Sequence, residues 1–294
     1  MKTKNISTIL FILFASFLFS QTIDVMSFNI RLASVDDGEN HWNIRKDKVK
    51  DLISYYEADF VGLQEAQKPQ IDYLLDNNSA YGFLGRPRTE EPNAEFSCIF
   101  YLKSKYKVLE QNTFWLSENP EKSGKSWDAA YPRIVTYALF ENIKTKKKIW
   151  VLNTHFDHVG IIARQNSAEI ILEKIKTLQK KRNVPVVLTG DFNSVESDSW
   201  MKPLFENLQE ARSNSITKPY AEKATWNGFK FNEKPSEQID FIFSSKNNTK
   251  VLKYRTITDF YDYKYPSDAP FLFILYFYWL KIFSDEERRS FSVL

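Results

Sequence analysis

"VPVVLTGDFNS", residues 184–194, carries the decision about the fold. Its opening residues are apolar and β-branched with no helical period, and they run into a Gly-Asp-Phe-Asn turn. The stretch therefore reads as a strand that delivers polar groups at its end. On an extended chain Asp191 and Asn193, two apart, point the same way. The layout recurs outward in both directions: "IDVMSFNIR" (23–31), "ADFVGLQE" (58–65), "EFSCIFYL" (95–102), "RIVTYALF" (133–140), "KIWVLNTHFDH" (148–158) and "EQIDFIFSS" (237–245) are short runs rich in β-branched and aromatic residues, most of them closing on a polar cluster. Between them, residues 43–57, 69–77 and 162–182 predict helices, with Ile171, Ile175 and Leu178 on one face of the last. "ENIKTKKKIW" (141–150) predicts a hairpin turn whose lysines are solvated. Strands interleaved with helices predict an α/β fold, with sheets packed in layers and helices outside.

Composition bounds the rest. In residues 1–20, Lys2 and Lys4 precede an apolar run from Ile9 to Phe19, the layout of a signal peptide, so a secreted or periplasmic location is expected. That run is too short to span a bilayer. Cys98 is the single cysteine, so no intrachain disulfide forms and stability must come from a core. Residues 21–268 read as one domain, and residues 269–294 as a tail of different character; a monomer is expected. Without the two lysines of the leader, 38 basic side chains face 37 acidic ones. That balance argues against a protein that holds nucleic acid mainly by a basic surface, but not against an enzyme that engages a few phosphates locally.

Asn29, Glu65, His155, Asp191, Asn193, Asp240 and Asp268 lie almost all at strand ends, where a rigid scaffold aims polar groups at one point. An ionised Glu65 after an apolar strand is costly unless it meets a cation. Carboxylate and amide oxygens suit a hard divalent ion such as Mg²⁺. Taken singly, each residue has a plain structural reading: "GDFN" is an ordinary turn, His155 a hydrogen-bonded core histidine, His158 the start of a helix. Asp240, between apolar strand residues in "QIDFIF", needs a partner. The joint pattern carries the functional reading.

That pattern resembles the endonuclease/exonuclease/phosphatase family, in the family's order, from "MSFNIR" through "GLQE", "NTHFDH", "GDFN" and "QIDFIF" to "YPSD". "DDGENHW", "FWLSENP", "SWDAAYPR" and "ARQNSAEII" resemble a secreted bacterial subgroup of it. The resemblance implies a four-layer αββα sandwich, two mainly antiparallel sheets flanked by helices, with the active site at one edge. It implies metal-dependent phosphoester hydrolysis in which Glu65, assisted by Asn29, holds Mg²⁺ (or Mn²⁺), with Asp268 a second metal-side carboxylate. Asp191 would orient or deprotonate the attacking water, Asn193 would fix the phosphate, and His155 would donate to a phosphoryl oxygen. Arg31 and Arg133 are candidate phosphate or structural arginines. The substrate is a phosphoester: nucleic acid, a small phosphorylated molecule or a lipid headgroup.

The departure comes after "YPSD". The family's Ser-Asp pair is followed by a His oriented by the Asp that is here Asp240, whereas this chain continues Asp268-Ala269-Pro270. Loss of such a group costs on the order of 10²–10⁴ in rate. A change of reading frame near residue 269 is the preferred account, since "FLFILYFYWL" and the residues after it do not match the family; loss of one His in frame is the other. Alternatively the apolar run supplies the missing last strand by composition alone. The competing function is a non-catalytic binding protein that keeps the cleft and recognises a phosphorylated or glycan ligand.

Overall fold

The structure, a computed structural model, describes residues 21–247 and 249–268 and the strand backbone over 272–279. The expected signal peptide (1–20) and the rest of the expected tail lie outside the described residues. Twelve strands are placed. β1 (Gln21–Asn29), β2 (Phe60–Gln67), β3 (Tyr81–Leu84), β4 (Glu95–Leu102), β11 (Lys250–Ile257) and β12 (Leu272–Trp279) form one sheet, in the order β11-β12-β1-β2-β4-β3. β5 (Tyr106–Trp115), β6 (Ile134–Asn142), β7 (Lys148–His155), β8 (Val186–Asp191), β9 (Leu208–Glu210) and β10 (Asp240–Ser245) form the other, in the order β5-β6-β7-β8-β10-β9.

The two sheets share one topology. Each has a central parallel pair, β1–β2 or β7–β8, and the remaining neighbours are antiparallel. A parallel pair needs a crossover, and a helix supplies it in both cases: α1 (Trp42–Tyr56) between β1 and β2, α3 (Ile161–Lys181) between β7 and β8. α2 (Lys68–Asp76) and α4 (Lys202–Asn207) are the other α-helices described. The three helices expected at 43–57, 69–77 and 162–182 are thus present, each displaced by one residue. Their starts are chemically marked. His41 Nδ1 accepts from Asn43 N at 3.2 Å ahead of α1, Gln67 and Gln70 form a capping box at α2, and Asp128 accepts from Ile162 N and Ala163 N at the start of α3.

Alternation along each strand builds the layers. Met26, Phe28, Val61 and Leu63 pack on Val49, Leu52 and Leu74 of the helices over the first sheet. Trp150, Leu152, Leu188 and Phe241 pack on Ile171, Ile175 and Leu178 of α3. Between the sheets, Val25, Phe60, Ile99, Phe140, Val151, Val187 and Ile242 form a third core. Three cores separate four layers, as expected for αββα. Strands buried on both faces read as continuous apolar runs rather than alternating ones, which explains "VPVVLT". The lysine turn joins β6 to β7 as predicted. Residues 272–279, assigned by sequence to the tail, pair with β1 on one side and β11 on the other, so the first sheet extends beyond Asp268.

Candidate active site

Both parallel pairs end at the same edge of the sandwich. Asn29 closes β1, Glu65 lies near the end of β2, His155 closes β7 and Asp191 closes β8. The C-terminal ends of parallel strands are where such folds gather ligand-binding groups. Below this edge a buried amide network locks the sheets together. Gln64 Nε2 donates to Asn153 Oδ1 at 2.7 Å, Thr189 Oγ1 donates to the same oxygen at 2.9 Å, and Asn153 Nδ2 donates to the carbonyls of Leu63 and Cys98. A Cβ at Gly62 would lie 2.1 Å from Thr189 Oγ1, so only glycine allows this approach.

One cavity of about 460 Å³ takes in Asn29, Arg31, Glu65, Arg133, His155, Asp191, Asn193 and Asp268 from the expected set. Asn29 Nδ2 bridges Glu65 Oε1 and Asp191 Oδ2, each at 3.0 Å, while its Oδ1 accepts from Arg31 N. An amide facing two carboxylates must present its NH₂, so Asn29 links the two sheets' carboxylates and offers them no oxygen. A bulge in β2 between Leu63 and Ala66 turns Glu65 out of the ladder. Arg31, Glu65 and Asn193 are all left-handed, at φ 55°, 58° and 45°. Each costs roughly 1–2 kcal/mol for a non-glycine residue, a concentration of strain typical of functional sites.

Asn193 fixes the nucleophile side. Its backbone N–H donates to Asp191 Oδ1 at 2.9 Å, and its Nδ2 lies 3.0 Å from both Phe156 O and His155 Nε2. A carbonyl only accepts, so the amide turns its NH₂ to both and Nε2 accepts; the ring proton sits on Nδ1. Burial, followed by the Arg133 charge, holds His155 well below its ordinary pKa. The neutral ring, 3.8 Å from Asp191 Oδ2, therefore forms no ion pair with it. Donation to a phosphoryl oxygen, the role expected for His155, requires Nε2 to leave Asn193 and carry a proton.

The carboxylates are in surplus. Burial pushes Asp191 up to about 6, against the Asn193 and Asn29 hydrogen bonds. Burial and then Glu65 push Asp268 up to about 7. Asp240 does not line the cavity; it is buried beside Asp191 in the ladder, and burial and then Asp191 raise it well above the carboxylate range. Its Oδ2 is buried with no hydrogen-bond partner among the described residues. A buried polar atom left so is costly.

The arginines are engaged. Arg31 is bidentate to Asp37 at 3.0 Å and lies 3.6 Å from Asp268 and 4.0 Å from Glu65. Arg133 lies 3.5 Å from Asp157 and contacts His158 Nδ1 at 3.2 Å, so it braces the 157–158 turn while lining the cavity. Backbone N–H groups of Gly160, Ala130, Tyr131 and Val159 hold Asp157 low despite its burial.

Four contributors escaped the sequence reading. Arg45, buried on the inner face of α1, donates to the carbonyls of Ile30, Arg31, Asn40 and Pro266, tying the Asn29–Arg31 turn to the "YPSD" loop. Its spacing with Trp42 and Val49 is the available signal, masked by the neighbouring lysines. Arg88, paired with Glu95 at 2.6 Å, and the half-exposed Trp226 also line the cavity.

Comparison with known proteins agrees with this geometry. The Endonuclease/Exonuclease/phosphatase family matches residues 26–268. An endonuclease/exonuclease/phosphatase family protein from Bacteroides thetaiotaomicron superposes with a TM-score of 0.84 at 30% identity, covering 88% of this chain and 98% of that one. A mannosyl-6-phosphatase from the same organism gives 0.83 at 30% identity, covering 87% and 99%. The CCR4-Not complex 3'-5'-exoribonuclease subunit Ccr4 of Saccharomyces cerevisiae is 23% identical over 184 residues, 52% of this chain and 22% of that protein, so the chain spans about a fifth of that relative. With its motifs in order and its strand ends converging in one cavity, the chain belongs to the endonuclease/exonuclease/phosphatase family, whose members hydrolyse phosphoesters.

Proposed function

We propose that this chain is a divalent-metal-dependent phosphoester hydrolase acting on a small phosphorylated molecule, in first place a hexose monophosphate. The carrying observation is the convergence of Asn29, Glu65, His155, Asp191, Asn193 and Asp268 on one cavity. The near balance of basic and acidic side chains and the similarity to a mannosyl-6-phosphatase favour a small substrate over a polynucleotide.

The residues fit a hard divalent ion by their donor chemistry. Glu65 and Asp268 flank one guanidinium, and Glu65 and Asp191 share one amide, so three carboxyl groups meet where a cation would neutralise them. No preassembled group of three or more His, Cys, Asp or Glu is present among the described residues. Glu65 and Asp268 would hold Mg²⁺ or Mn²⁺, with Asn29 orienting Glu65; when bound, the ion supplies charge neutralisation at the phosphoryl and leaving oxygens.

The chain's own groups do the rest. Asp191, anchored through Oδ1 by Asn193 N–H, takes the proton of the attacking water, and its raised pKa matches that task near neutral pH. Asn193 and His155 face the phosphoryl group from the second sheet. The step is slow because Asp240 has no imidazole to orient. In a non-catalytic binding protein, favoured by the orphaned Asp240 Oδ2, ligand binding would persist while Asp191→Ala changed nothing in turnover. We place the protein outside the cytoplasm and expect a monomer, on the strength of residues 1–20 and composition alone.

Hydrolysis of mannose 6-phosphate read as phosphate release, of a phosphodiester read as release of its alcohol, and of DNA read as strand cleavage, each with Mg²⁺ and with chelator, tests the proposal. The expected result is slow, metal-dependent hydrolysis, fastest with the sugar phosphate and lost in Asp191→Ala. Equal release by wild type and Asp191→Ala would refute it.

A further inference from the structure

The cavity has a second wall that the hydrolytic groups leave unused. Arg88 and Glu95 face each other at 2.6 Å with side chains only 15% and 13% exposed. The Arg88 backbone is held at both ends: its N–H donates to Glu95 O, and its carbonyl accepts from Trp115 Nε1 and Ser123 Oγ. Its guanidinium lies 4.8 Å from the centroid of the Tyr131 ring, which stacks on His158 at 5.9 Å and 18°. Trp226 is 44% exposed and Tyr131 48%, and both line the cavity.

A buried ion pair is a weak source of stability, because desolvation opposes the attraction. In a cavity wall it does something else: it presents N–H donors and carboxylate acceptors side by side with no net charge. Phosphate oxygens accept only and are repelled by Glu95. Hydroxyl groups both donate and accept, and a vicinal pair of them is complementary to this wall. The other cavity arginines are likewise neutralised, Arg31 by Asp37 and Arg133 by Asp157. A polynucleotide, whose successive phosphates need uncompensated cations, finds none along these three arginines. The apolar faces of Trp226 and Tyr131 suit the C–H face of a ring.

We propose that the Arg88–Glu95 pair is the specificity-determining element of this site, reading hydroxyl groups of a hexose whose phosphate lies at Asp191, with Trp226 and Tyr131 bounding the ring. The inference rests on the phosphoester reading given above and adds the part of the substrate that does not react.

Equilibrium binding separates the two claims, because it needs no turnover. Mannose 6-phosphate, inorganic phosphate and a dinucleotide are titrated in Mg²⁺ into the full chain, Glu95→Gln, Arg88→Lys and Trp226→Ala. Wild type is expected to bind the hexose phosphate at least about 10-fold more tightly than either control. Glu95→Gln and Arg88→Lys should each weaken hexose phosphate by about 10- to 100-fold, the worth of a charge-assisted hydrogen bond, and leave inorganic phosphate within about threefold. Trp226→Ala, at an exposed position where folding is safe, should weaken it about 3- to 10-fold. Circular dichroism and melting confirm folding of the buried-pair variants. Hexose phosphate binding that is unchanged in Trp226→Ala and in the folded pair variants, or wild type preferring the dinucleotide, overturns the specificity claim alone. Failure of inorganic phosphate and hexose phosphate alike to bind wild type overturns it together with the hydrolase reading.

Discussion

The two sheets have the same topology but opposite electrostatics at the shared edge. Equivalent strand ends carry Asn29 and His155 (β1, β7), Glu65 and Asp191 (β2, β8), Glu95 and Asp240 (β4, β10). In the first sheet the carboxylates sit near guanidinium groups: Glu65 by Arg31, Glu95 by Arg88. In the second, Asp191 and Asp240 lie next to each other with no arginine ion pair among the described residues; burial raises Glu95, Asp191 and Asp240 alike, but Arg88 opposes it at Glu95 whereas Asp191 adds to it at Asp240. One repeated scaffold thus yields a half suited to holding cations and a half that keeps carboxyl groups poised to take a proton.

The difference can be broken in two places. Asp191→Ala should lower kcat by about 10²–10⁴ at any Mg²⁺ concentration. Glu65→Gln should instead raise the Mg²⁺ concentration for half-maximal activity by about 10-fold or more, with activity partly restored by excess metal. If the two variants respond alike to added Mg²⁺ in a metal titration, the division of labour between the sheets is wrong.

The contact holding the halves in register is Asn153. Asn153→Ala removes an amide satisfied by Gln64, Thr189 and two carbonyls, and should cost about 2–3 kcal/mol in urea unfolding. A loss under about 0.5 kcal/mol would mean the sheets are registered by the apolar core alone.

The smallest effect lies at the far end of the first sheet. Burial and then Asp59 push Asp24 up to about 6, and its Oδ1 is a buried oxygen with no partner among the described residues. A carboxyl that keeps its proton better folded than unfolded carries no penalty below pH 4; its penalty grows as pH rises from 4 to 6 and is complete above. Asp24→Asn should therefore raise the melting temperature at pH 7.5 by a few degrees and change it little at pH 4, as melts at the two pH values would reveal.

Strand-end chemistry was legible because it is local. "GLQE", "NTHFDH" and "GDFN" place a polar group where an apolar run stops, and helix starts carry their own caps. The edge strands β5 and β11 were not read, since polar and charged residues interspersed along a half-exposed strand look like loop. Arg45 and the Arg88–Glu95 wall were not read because their meaning lies in partners distant in sequence, up to Pro266 for Arg45. The hydrogen-bonding direction of Asn29, and with it the bridge between the sheets, depends on two carboxylates meeting in space.

Asp240 is where the two sheets' difference is most exposed, and a double-mutant cycle addresses it. A His inserted between Asp268 and Ala269 should raise Mg²⁺-dependent phosphate release by about 10²–10⁴, and most of that gain should vanish when Asp240→Asn is added. A gain of the same size in both backgrounds, or none in a protein shown to be folded, would contradict a site complete except for the partner of Asp240.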